Sequence, residues 1–130
     1  MGYWHEKIVI VTGGSAGLGK ALAGAFAERG AKVVVAARDA QKLEVVAAEL
    51  SAGGKSVQGH VADVTKADQV EALVAQTVER YGRLDCLVNC AGRSTRGEAL
   101  ATTPEEFTAL WEANFLSVVH GARAAAQVAP

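Results

Sequence analysis

Apolar residues along this chain fall into two alternating rhythms. Ile8-Val9-Ile10-Val11 and Lys32-Val33-Val34-Val35-Ala36-Ala37 are near-continuous apolar runs, the pattern of a strand covered on both faces. Between them Leu18, Leu22, Ala25 and Phe26 recur at helical spacing, and Gly30 stops the helix. The rhythm then repeats. Asp39 stands as an N-cap before Leu43, Val46, Ala47 and Leu50, and Gly53-Gly54 ends that helix. Lys55 to Val61 reads as a third strand. Val70, Leu73, Val74, Thr77 and Val78 share one face of a helix that closes at Tyr81-Gly82, and Leu84 to Val88 reads as a fourth strand. Thr65-x-x-Asp68 resembles a capping box before the third helix. The best-specified boundary is Thr103-Pro104-Glu105-Glu106, with a threonine cap, a proline in the first turn and a glutamate three residues after the cap. It opens a helix with Phe107, Leu110, Trp111, Phe115, Val118, Val119 and Ala122 on one face. Strands alternating with helices in this way predict an α/β fold with a doubly wound parallel sheet.

Composition narrows the class. At 130 residues and 50% hydrophobic content, residues 1–130 read as one domain, and a net charge of −1 without a basic run argues against nucleic acid or an anionic membrane as partner. No apolar run approaches the ~20 residues of a membrane span, and the amino terminus lacks a signal-peptide pattern, so the expected setting is soluble and cytoplasmic. Cys86 and Cys90 have no neighbours to complete a metal set and read as reduced residues.

The chemistry concentrates where the first strand ends. Ile8 to Val11 run into Thr12-Gly13-Gly14-Ser15-Ala16-Gly17-Leu18-Gly19, a glycine-rich turn opening a helix. Such a turn aims the first N–H groups of the helix, with their positive dipole end, at an anion, and glycines let a pyrophosphate and the strand come close. Gly13-x-Ser15-x-Gly17 also matches a nucleophile elbow, but a hydrolase would need an acid and a histidine downstream. Only His60 and His120 follow, with nothing local marking either as a base.

The spacing Thr12-Gly13-x-x-x-Gly17-x-Gly19 differs from the G-x-G-x-x-G of most dinucleotide folds and resembles the short-chain dehydrogenase/reductase family. Two later motifs agree: Asp63-Val64 after the third strand, and Asn89-Cys90-Ala91-Gly92 after the fourth, similar to the family's N-N-A-G with Cys90 replacing its second asparagine. The resemblance implies strand order 3-2-1-4 and a nicotinamide cofactor. It implies cofactor contacts at Thr12, Gly13, Ser15, Gly17, Leu18, Gly19, Asp63, Val64, Asn89, Ala91 and Gly92. The family's NAD-selecting acid is replaced here by Ala37, and Arg38 follows, which points to NADP rather than NAD. A guanidinium pairs with a 2′-phosphate that a carboxylate would repel.

Asn114 falls on the same face as Phe107, where a buried amide needs a specific partner. Asn114-Phe115 resembles the helix asparagine of the family's catalytic Asn-Ser-Tyr-Lys group, which holds a water in a proton relay. The serine and the Tyr-x-x-x-Lys would lie beyond Pro130; Tyr3-x-x-x-Lys7 has that spacing but precedes the first strand. The chain therefore reads as the amino-terminal half of an NADP-dependent oxidoreductase acting on a carbonyl or alcohol. Alone it would bind cofactor with negligible turnover, and the alternative is a non-catalytic nucleotide-binding or interaction module. The fourth strand would be an open edge, and the last helix resembles one that packs on its copy, so a homo-oligomer or pairing through those two surfaces is expected. Arg93 to Thr102 would border the substrate.

Overall fold

The computed structural model describes residues 2–92 and 101–128. The described elements are β1 (Ile8–Thr12), α1 (Gly17–Glu28), β2 (Lys32–Ala37), α2 (Ala40–Leu50), β3 (Ser56–Val61), α3 (Ala67–Tyr81), β4 (Cys86–Asn89), α4 (Pro104–Trp111) and α5 (Ser117–Val128), with a π-helical turn, Glu112–Leu116, joining the last two. The four strands form one parallel sheet in the order β3-β2-β1-β4. This is the expected doubly wound order.

β1 is central, and all five of its residues are buried. Its side chains alternate between two cores. Ile8 and Ile10 join Val34, Leu73, Val74 and Ala124 on the face covered by α3 and α5. Val9 and Val11 join Ala23, Ala27, Val33 and Leu43 on the face covered by α1 and α2. Burial of each large aliphatic side chain contributes roughly 1.5–3 kcal/mol. β3 is an edge, with Val61 53% exposed.

Three expectations are corrected. In α1 the inward residues are Gly19, Ala23 and Ala27, while Leu18 is 70% exposed. Small residues let α1 lie close on its own strand, and that closeness turns the larger Leu18 outward. Thr65 is not the cap of α3, since Lys66 holds that position without a side-chain bond. Instead Asp63 Oδ1 accepts from the Thr65 amide at 2.9 Å and from its hydroxyl at 2.6 Å, closing an Asx turn just before the helix. The stripe from Phe107 to Ala122 is not one buried face either. Phe107, Trp111, Phe115 and Val118 are 40–54% exposed, and the inward residues of α5 are Ser117, Gly121 and Ala124. Phe107 and Trp111 precede the π turn and are already exposed, so the stripe faces outward from the start of α4.

Candidate functional site

A cleft of about 700 Å³ opens at the carboxyl ends of β1, β2 and β4. Its walls are the turn after β1 (Gly13, Ser15, Gly17), the end of β2 (Ala37, Arg38), the Asp63-Val64 turn, the loop after β4 (Ala91, Gly92) and one side of α4 and the π turn (Ala109, Glu112). Parallel strands direct ligands to this place, where connections from neighbouring strands leave to opposite sides of the sheet.

Local sequence explains the floor. Thr12 is 2% exposed at the end of β1, and its Oγ1 accepts from the Cys90 and Ala91 amides at 3.2 and 3.3 Å while donating to the Val88 carbonyl. One hydroxyl thus joins the β1 turn to the β4 loop. Gly19 is required for close approach: a Cβ there would fall onto Gly13 O and lie 2.7 Å from Gly13 C. Gly17 is required for a different reason. Its φ is +56°, and a Cβ would point into open space beside the cleft.

The helix termini facing the cleft differ in capping. Ala16 precedes α1 and offers no side-chain bond to its first amides. Asp39 caps α2, with Oδ1 accepting from the Gln41 and Lys42 amides, each at 3.1 Å. The hydrogen bond from Thr65, with the Arg38 charge nearby as a smaller contribution, holds the Asp63 carboxyl below its ordinary value.

Of the residues singled out from sequence, Gly13, Ser15, Gly17, Arg38, Asp63, Val64, Ala91 and Gly92 line the cleft together. Thr12 and Gly19 are buried beneath it, and Leu18 lies outside its lining. Asn89 leans away toward α5, with Oδ1 2.7 Å from where a Cβ on Gly121 would stand. Asn114 is exposed rather than buried, because the helix face it was expected to share with Phe107 is turned outward. Its Nδ2 donates to the Leu110 carbonyl at 2.9 Å, and its Oδ1 fills the space a Cβ on Gly92 would need. Lys42 and Glu112 line the cleft without having been read from sequence, although Lys42, three residues past the Asp39 cap, was within reach of that reading. The expected substrate border from Arg93 to Thr102 falls, over residues 93–100, outside the described residues. No histidine lines the cleft beside Ser15, which leaves the nucleophile elbow without a base among the described residues. Tyr3 and Lys7 lie ahead of β1, at the opposite edge of the sheet, with the lysine over the tyrosine ring. Cys86 and Cys90 are both free thiols; burial, then the Asp85 charge, pushes the Cys86 thiol up.

The short chain dehydrogenase family model matches residues 7–128. An oxidoreductase of Bacillus subtilis named YxnA is 37% identical over 120 residues, which are 92% of this chain and 34% of that protein. A short chain dehydrogenase from Mycobacterium smegmatis superposes with a TM-score of 0.93 at 34% identity, covering 98% of this chain and 53% of that one. A variant of actinorhodin polyketide ketoreductase, solved with NADPH, gives 0.89 at 33% identity, covering 96% and 48%. A doubly wound sheet with this turn at its centre defines a nucleotide-binding α/β protein, and the chain belongs to the short-chain dehydrogenase family. Members of that family are oxidoreductases that bind a nicotinamide cofactor and act on small molecules. The chain spans about a third of the length of the B. subtilis relative and about half that of the solved structures. Among the described residues, no helix is long and apolar enough to cross a membrane.

Proposed function

We propose that the chain is the cofactor-binding domain, residues 1–130, of an NADP-dependent oxidoreductase that moves hydride between nicotinamide and a carbonyl or alcohol. The observation that carries this reading is the uncapped amino terminus of α1 facing the same cleft as Arg38. The residues fit the group. Gly17 leaves open space where a pyrophosphate would meet the first amides of α1, and Gly19 keeps the helix against β1. Arg38 at the end of β2 takes the 2′-phosphate. Asp63 and Val64 border the adenine, and Asn89, Ala91 and Gly92 belong to the nicotinamide side, with Thr12 holding that loop in register. When bound, the nicotinamide supplies or accepts the hydride.

Asn114 is the proposed catalytic residue of this chain, beside Gly92 at the nicotinamide end of the cleft. Its carboxamide can order a water for proton transfer. The apolar face formed by Phe107, Trp111, Phe115 and Val118, with the Trp111 and Phe115 rings stacked at 5.4 Å, and the open edge of β4 are the proposed surfaces for a second copy. The proposed compartment is the cytoplasm.

Arg38→Asp tests the cofactor assignment. NADPH affinity is expected to fall by tenfold or more while NADH affinity rises relative to it, read by fluorescence titration. Equal loss of both would show that Arg38 does not read the phosphate. In a thermal melt, NADPH at 100 Kd should add about 2.7 kcal/mol to the folded state.

A further inference from the structure

We infer that Lys42 is a second selectivity residue of the cleft, which closes with Arg38 on the 2′-phosphate of the cofactor. This rests on the NADP reading above and adds a residue that the glycine turn, the end of β2 and the later motifs do not contain. The Asp39 carboxylate occupies the amides of Gln41 and Lys42, so the amino terminus of α2 has already spent its strongest donors on its own cap. A phosphate arriving at this wall has to be met by side chains.

Two cations line that wall, Arg38 one residue before the cap and Lys42 three residues after it. Helical side chains lean toward the amino terminus of their helix, so the ammonium of Lys42 is directed back over the first turn, toward Arg38 and the cleft. It is also available. Lys20, Lys32 and Lys55 are each paired with a glutamate, whereas Lys42 has no ion pair among the described residues. Asp39 Oδ1 is committed to the α2 backbone and Asp63 Oδ1 to Thr65. A planar guanidinium and a mobile ammonium on either side of one phosphate also divide the work well, the first fixing orientation and the second adding charge.

The test is calorimetric titration of the purified protein with NADPH, NADH, 2′,5′-ADP and 5′-AMP, for the unaltered chain and for Lys42→Met, Lys42→Arg, Arg38→Gln and the remote control Lys55→Gln. Lys42→Met is expected to weaken NADPH and 2′,5′-ADP about tenfold, with NADH and 5′-AMP changed by less than twofold. Lys42→Arg should restore most of the loss, and Lys55→Gln should change nothing. Thermal melts of each variant check that the exposed substitution leaves the fold intact. Equal weakening of phosphorylated and unphosphorylated ligands by Lys42→Met overturns the proposal, as does no weakening at all while Arg38→Gln abolishes the preference for 2′,5′-ADP. An unaltered protein that binds NADH as well as NADPH overturns the NADP reading, and this one with it.

Discussion

Two helices present their amino termini to the same cleft and treat them in opposite ways. α2 begins with its own anion, the Asp39 carboxylate, accepting from two backbone amides. α1 begins after Ala16, which supplies nothing, and through Gly17, which adds no side chain on the cleft side. A capped helix end is a finished structural element, whereas an uncapped one with open space in front of it is a receptor for an external anion. On the proposed reading, the chain provides one of these negative charges for itself and takes the other from a ligand. The same reading divides recognition of a phosphorylated dinucleotide between backbone at one wall and side chains at the other.

The comparison can be broken most severely at Gly19. Gly19→Ala places a methyl against the Gly13 backbone, which cannot move aside as a side chain would, and is expected to destabilise the fold by about 3 kcal/mol and to abolish cofactor binding. Gly17→Ala separates the two effects. Its Cβ meets nothing, so only the left-handed backbone costs stability, about 1–2 kcal/mol, while the methyl stands where the proposed pyrophosphate would approach. Urea denaturation together with cofactor titration distinguishes the pair. Equal stability loss in both variants would refute the close-approach account of Gly19.

A sharper test gives α1 the cap it lacks. The backbone of Ala16 is extended, as an N-cap requires, so Ala16→Asp should stabilise the chain by about 1 kcal/mol while weakening NADPH and NADH alike by tenfold or more. The reverse change at α2, Asp39→Ala, should destabilise by about 1 kcal/mol. Stability changes of the same sign at the two helices would end the contrast. The smallest effect is in the acid range. Asp63 has a folded-state value below its unfolded one, so its contribution to stability is present above the unfolded value and is lost as pH falls through the folded one. Asp63→Asn should flatten that acid limb of the melting temperature and leave stability near pH 7 only slightly reduced.

Much of this was legible in the sequence for identifiable reasons. The runs at Ile8 and Lys32 are short, β-branched and bounded by turn residues, which marks them as strands covered on both faces, and the glycine spacing after β1 constrains backbone directly. Asp39 and Thr103 announced their helices because capping is local chemistry, and Thr103 Oγ1 does accept from the Glu106 amide at 3.2 Å. Failures came where periodicity had to stand in for tertiary contact. Leu18 fits a helical stripe as well as Ala23 does, but only the distance from α1 to β1 decides which is inside. Periodicity likewise cannot show whether Trp111 and Phe115 face a core or an open surface, nor reveal the π turn between them. Asn114 was read as an amide on a buried face and stands exposed.

The Thr12 hydroxyl has a consequence in time as well as in space. Its two amide partners lie 78 and 79 positions further along the chain, so the floor of the cleft joins residues made far apart during synthesis. At roughly 5–20 residues per second, about 4 to 16 s separate the translation of the turn from that of its partners. Through that interval the glycine turn has one wall and no floor. A nascent chain therefore acquires its ligand cleft only when β4 docks against β1, long after the most recognisable motif in its sequence has left the ribosome.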